Sequence, residues 1–160
     1  MARLAQAPAR QVRFVEEKTF AALTTILRSE GTLAFRKPDH LEKITTSPQY
    51  ESLVVDAARL VVNAGNEPPR VVELGGQPAI RALIDTLRGA LSGDLAALRA
   101  SYAVSGSGTP ADWHIVLQPR DPGVAQLVRE VRLAGGADIG QIETVAPNGD
   151  TDTLVITPIR

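Results

Sequence analysis

Hydrophobic positions recur every second residue over most of the chain, which is the spacing of strands that bury one face. From residue 12 to 27, Val12, Phe14, Phe20 and Ile26 share one parity, and Val15, Leu23 and Leu27 share the other. We read this as one long strand that bends at Ala21-Ala22. Ser29-Glu30-Gly31 reads as a turn. "LAFRKPDHLEKITT" then predicts two antiparallel strands, Leu33–Arg36 and Leu41–Thr46, joined through Pro38-Asp39. "YESLVVDAARLVVN" predicts a further pair, with Leu53 and Val55 facing one way before a tight turn at Asp56-Ala57-Ala58. "RVVEL" is another short strand.

The period changes after Gly75-Gly76. Ile80, Leu83, Ile84, Leu87 and Leu91 fall at three- and four-residue intervals, the apolar stripe of an amphipathic helix. Pro78 suits its first turn and Gly93 its end. Asp94 reads as the N-cap of a second short helix, "LAALRASY". Period two then returns. "DWHIVLQP" sets Trp113, Ile115 and Leu117 against His114, Val116 and Gln118. "LVREVRL", "IGQIETVAP" and "TDTLVITPI" follow, and Asn148-Gly149 predicts a type I′ hairpin. Four to six strands, two helices and four more strands define an α+β, mainly antiparallel fold. Such a layout suggests a curved sheet or an incomplete barrel, with helices covering its concave side. The whole of residues 1–160 reads as one domain, with the end of an N-terminal helix at 1–11 and a helical insert at 77–102.

Composition narrows the function more than it identifies it. The 160 residues carry a net charge of −1, with no basic face for nucleic acid. There is no cysteine, which removes disulfides, thiolate metal sites and a cysteine nucleophile. No apolar run is long enough to span a bilayer as a helix. "MARLAQAPARQ" lacks the apolar core of a signal peptide, so the sequence is read either as cytosolic or as starting after a removed export signal.

Candidate chemistry is sparse. Glu16 and Glu17 point to opposite faces of a strand and do not form an acid–base pair. His40 and His114 lack a third ligand for a metal. "GSGTPA" (residues 106–111) is read as a loop, because Pro110 opposes the helix that a dinucleotide motif requires. We therefore expect no catalytic residues, no metal and no cofactor. What remains is apolar surface, which forms either a filled core or a cavity under a fixed or movable helix.

Three motifs sharpen this choice: Phe14-x-Glu16-x-Lys18, the run G-x-L-x-F-x-x-P-D-x-L from Gly31 to Leu41, and K-x-x-x-S-P from Lys43 to Pro48. With "LSGDLAALRASY" and "WHIVLQP", they resemble the LolA-like outer-membrane lipoprotein carrier family, in its divergent branch, over about residues 10–159. The resemblance implies a monomeric periplasmic carrier built as an incomplete, strongly curved antiparallel β-barrel, with a helical lid over its concave face and an apolar cavity. Its cargo would be an acylated lipoprotein or another hydrophobic lipid, such as a polyene-type lipid. Its partners would be an inner-membrane exporter and an outer-membrane acceptor.

On this resemblance the lid offers Leu83, Leu87 and Leu91 to the ligand. The sheet offers Leu33, Phe35, Leu41, Leu53, Val55, Trp113, Ile115, Leu117, Leu154 and Ile156. Two departures stand out. Leu41-Glu42-Lys43 replaces the family's Phe-Arg-Trp, so Glu42 cannot donate the hydrogen bond by which that arginine is thought to latch the lid. Asp56-Ala57 replaces an Asp-Gly turn. Two other readings stay open: a filled barrel that docks on an envelope partner, and an enzyme acting on lipid intermediates.

Overall fold

The computed structural model describes residues 9–159. Its strands are β1 (Ala9–Thr19), β2 (Ile26–Arg36), β3 (His40–Ser47), β4 (Glu51–Asp56), β5 (Arg59–Ala64), β6 (Arg70–Glu73), β7 (Tyr102–Thr109), β8 (Asp112–Pro119), β9 (Glu130–Gly135), β10 (Ile139–Val145) and β11 (Thr151–Pro158). They form one antiparallel sheet in the order β6-β5-β4-β3-β2-β1-β11-β10-β9-β8-β7. Every pairing joins sequence neighbours except β1 with β11, which zips the two halves together from Val12↔Pro158 to Thr19↔Thr151.

This order places the helices. The chain leaves the sheet at one edge, β6, and re-enters at the other, β7. Between them run α1 (Pro78–Ser92) and α2 (Leu95–Ser101). The segment that connects the two edges of this sheet crosses one of its faces, the one that carries the core. The helix pattern supplies the apolar side for that crossing: Ile84, Ala90 and Leu91 of α1 and Leu98 of α2 are buried in the same core as Phe14, Leu33 and Leu133 of the sheet. Gly93 ends α1 at φ 70, and the Asp94 side chain accepts a hydrogen bond from Ala97 N in α2. The result is an incomplete antiparallel barrel with a helical lid.

Several local expectations are corrected. Residues 12–27 are not one bent strand. They are the ends of β1 and β2 around a turn in which Leu23 N donates to Phe20 O at 3.0 Å, while Ala21 N donates to Asp150 Oδ1 at 2.9 Å. Residues 9–11 begin β1 rather than ending a helix, and the remainder of that expected helix lies outside the described residues. Ser29-Glu30-Gly31 is inside β2. Gly31 serves close approach rather than a turn: a Cβ there would collide with the Ile44 carbonyl group, where the β2–β3 register shifts.

Residues 106–109, read as loop, belong to β7, whose pairing with β8 overrides their small, weakly strand-forming side chains. A short helix, α3 (Pro122–Ala125), precedes β9. At the β10–β11 turn only Gly149 has positive φ, so the type I′ turn is not formed. Gly149 N instead donates to Ala146 O, closing a turn around Pro147.

Candidate functional site

Strand alternation decides what faces the lid. The inward row holds Val12, Phe14 and Glu16 on β1; Leu33 and Phe35 on β2; Leu41 and Lys43 on β3; and Asp152, Leu154 and Ile156 on β11, as the registers Val12↔Leu33, Leu33↔Lys43 and Glu16↔Leu154 require. The hollow therefore has an apolar end and a charged end.

All thirteen residues expected at the ligand site lie in the core or against it. Leu33, Phe35, Leu41, Val55, Leu91, Leu117, Leu154 and Ile156 are buried within it, while Leu53, Leu83, Leu87, Trp113 and Ile115 are half-buried and packed on it. Three of them, Leu83, Leu87 and Leu154, border an open cavity. Its volume is about 190 Å³, and its other walls are Glu16, Lys43, Thr86, Ile142, Thr144 and Asp152. Glu16 and Lys43 also border an outer groove of about 560 Å³, which Lys18, Leu27, Arg28 and Tyr50 help to line. The ion pair thus stands between outer groove and inner cavity.

The charged end was not anticipated from the sequence. Its signal is parity, since Glu16, Lys43 and Asp152 each continue an inward apolar row of their own strand. Lys43 Nζ donates to both Glu16 oxygens, at 3.1 and 3.0 Å, and lies 5.2 Å from the Phe14 ring centroid. Ser29 Oγ also donates to Glu16, at 3.3 Å. Glu16 is only 5 % exposed. Burial works against its charge, but the hydrogen bond with the Asp152 carboxyl and the Lys43 ammonium outweigh burial and hold Glu16 below the usual carboxylate range. Burial, with the adjacent Glu16 carboxylate, pushes Asp152 up to about 7. Asp152 Oδ1 is shut off from solvent and accepts from no N–H or ordinary O–H donor. With its pKa near 7, Asp152 is neutral below that pH and is the member of the pair that carries a proton, while Glu16 stays ionised.

The lid is held at two points. Arg88 Nη2 of α1 donates to Ala57 O in the β4–β5 turn at 3.0 Å, with Asp85 beside the same guanidinium at 3.2 Å. Thr86 Oγ1 donates to Ala82 O at 2.7 Å and meets the buried Tyr102 hydroxyl at 2.5 Å. Burial raises the pKa of that phenol, so it remains a donor at physiological pH. The latch thus runs from lid to sheet. Glu42, whose loss of an arginine stood out in the sequence, alternates with Leu41 and Lys43 and pairs with His40 at 3.5 Å, away from the lid.

An open curved sheet, a helix bridging its edges and a small amphipathic cavity beneath define an incomplete barrel built around a hydrophobic interior. The chain belongs to the family of LolA-like outer membrane lipoprotein carrier proteins, whose model matches residues 1–158. No curated protein matches the sequence. Among solved structures, the LolA superfamily protein NE2245 of Nitrosomonas europaea is similar at 12 % identity, covering 97 % of this chain and 87 % of that one, with a TM-score of 0.51. Lipoprotein LppX of Mycobacterium tuberculosis matches at 11 % identity over 99 % and 94 % of the two chains, TM-score 0.48. The Pseudomonas aeruginosa MucA/MucB complex matches at 14 % identity over 98 % of this chain and 53 % of that one, TM-score 0.45. Among the described residues no helix is long and apolar enough to cross a membrane.

Proposed function

We propose that the protein is a periplasmic carrier that takes an acyl chain or another hydrophobic lipid, of a lipoprotein or polyene type, between its lid and its sheet. On this reading it moves the cargo from an inner-membrane exporter toward an outer-membrane acceptor. The observation that carries the reading is the cavity under Leu83 and Leu87, roofed by the one segment that joins the two edges of the sheet. Membership of the carrier family supports it.

The cavity is smaller than the roughly 300–1,000 Å³ usual for small-molecule pockets, so loading requires α1 to move outward. The physics favours such an exchange. Each buried CH₂ contributes about 0.8 kcal/mol, so a chain of about 14 carbons gives roughly 11 kcal/mol before the costs of opening the lid and ordering the chain. Loading replaces contacts between lid and sheet by contacts with cargo, which keeps the net affinity modest and release feasible.

The test is organic extraction and native mass spectrometry of purified protein, together with titration of a fluorescent fatty acyl probe. Co-purified lipid or one-to-one uptake is expected. A second reading, a filled barrel that docks on an envelope partner, has its own observation. Most of the inward apolar residues are fully buried, and Leu23, Ile26, Leu27 and Tyr50 are exposed, Leu27 and Tyr50 of them in the outer groove. That reading predicts no uptake of any amphiphile and retention of an inner-membrane protein on immobilised chain.

A further inference from the structure

The polar floor of the inner cavity has no role in holding an aliphatic chain. The groups that face it are few. From β1 come Glu16 and, in the outer groove, exposed Lys18; from β3, Lys43; from β11, Asp152. β10 contributes uncharged Thr144, and α1 contributes Leu83, Thr86 and Leu87. The charged residues of α1 near this point, Asp85 and Arg88, pair with each other at 3.2 Å. Arg28 and Glu51 line only the outer groove.

Charge accounting within the cavity is then simple. Two of the three N–H groups of the Lys43 ammonium go to the oxygens of Glu16, whose negative charge offsets that of the lysine toward an incoming anion. Asp152 forms no ion pair among the described residues: Lys18 and Lys43 act on it only from a distance, and burial with the Glu16 carboxylate outweighs them and keeps it protonated up to about pH 7. A third carboxylate placed here would meet two carboxyl groups and one occupied lysine. An ammonium would instead bring a cation into direct contact with Asp152. Its N–H groups would reach the oxygens of both carboxyls.

We propose that the cavity beneath α1 selects an amphiphile ending in a primary ammonium over one ending in a carboxylate. This specificity rests on the carrier reading and deepens it: the apolar tail lies along Leu83, Leu87, Ile142 and Leu154, and the head rests on Asp152 and Glu16. Binding of the ammonium releases the proton carried by Asp152 to solvent, so amine binding strengthens as pH rises through about 7, where Asp152 titrates.

The experiment is calorimetric titration of the whole chain with dodecylamine, dodecanol and dodecanoic acid at about pH 7 and about pH 8, in buffers of different ionisation enthalpy. The amine is expected to bind about tenfold tighter than the acid and to release protons on binding at the lower pH. In Asp152→Asn the ratio of amine to acid affinity should fall to near one. The proton release of the unaltered chain decides the matter if that variant does not fold. An acid that binds as tightly as the amine, no proton release, or a preference that survives Asp152→Asn overturns this specificity and leaves the carrier reading standing. Failure of all three amphiphiles to bind overturns both.

Discussion

Ala57 shows how much one residue can reveal. It holds φ 52 in the β4–β5 turn, a left-handed conformation that costs a side chain with a Cβ roughly 1–2 kcal/mol. The position is where the sequence departs from an Asp-Gly turn, and the strain is the physical content of that departure. Ala57→Gly should therefore stabilise the protein by about 0.5–1 kcal/mol after the added chain entropy of glycine, read as a higher urea midpoint at unchanged slope.

Asp152 offers a second test at this scale. Its pKa is raised from 3.8 to about 7 by folding. Between those values the native state binds a proton that the unfolded state has lost, so stability falls as pH rises from about 4 to 7 and levels off above. The fall is at most about 1.36 kcal/mol for each pH interval of one across that window. Glu16 is displaced the other way, and the stability it contributes is lost only as pH falls below the usual carboxylate range. Urea melts across this window should show the decline, and Asp152→Asn should flatten it while standing above the unaltered chain at pH 8. A flat profile in the unaltered chain would show that Asp152 does not stay protonated up to about pH 7.

At the scale of elements, α1 has a mixed inner face. Leu91 and Ala90 are sealed into the core, whereas Leu83 and Leu87 border space. The last turn of the helix, Gly89 to Ser92, therefore anchors it, and its middle, from Leu83 to Leu87, roofs the cavity. Leu87→Glu places a third carboxylate opposite Glu16 and Asp152. Acyl-probe uptake should be abolished, while the far-ultraviolet signature of the sheet is retained. Unchanged uptake would remove Leu87 from the site.

The legibility of these elements differs for physical reasons. The period of α1, its proline start and its glycine stop are local signals, and the helix lies where they place it. The strand β7 was missed because Gly106, Ser107 and Gly108 have little intrinsic preference for a strand; β8 holds them there. The turn at residues 20–25 was missed because Ala21 and Ala22 carry no turn signal. It is held by the Asp150 carboxylate from the far end of the chain.

At the scale of the molecule, the sheet is strongest at its middle. β1 and β2 pair over eleven positions, from Ala9↔Arg36 to Thr19↔Ile26, and β11 closes the other side of β1. The lid by contrast is fastened at its ends and by two polar contacts, Arg88 with Ala57 and Thr86 with Tyr102. Amide exchange should be slowest in β1, β2 and β11 and faster in α1. Arg88→Ala should accelerate exchange in α1 alone, by about fivefold if the latch contributes about 1 kcal/mol. An acceleration spread equally over the sheet would mean that the lid does not open as a unit.

Taken alone, the sequence determined the apolar rows, the helix with its caps and, through the motifs shared with a family, the half-barrel. It placed all thirteen expected residues around one interior, because strand and helix periods are local consequences of backbone geometry. Only the tertiary structure decided which of them border space, that Arg88 latches the lid, and that Glu16, Lys43 and Asp152 meet. Those three come from strands β1, β3 and β11, and the order of the sheet, not their spacing in the chain, brings a lysine and two carboxyls together where water is largely excluded.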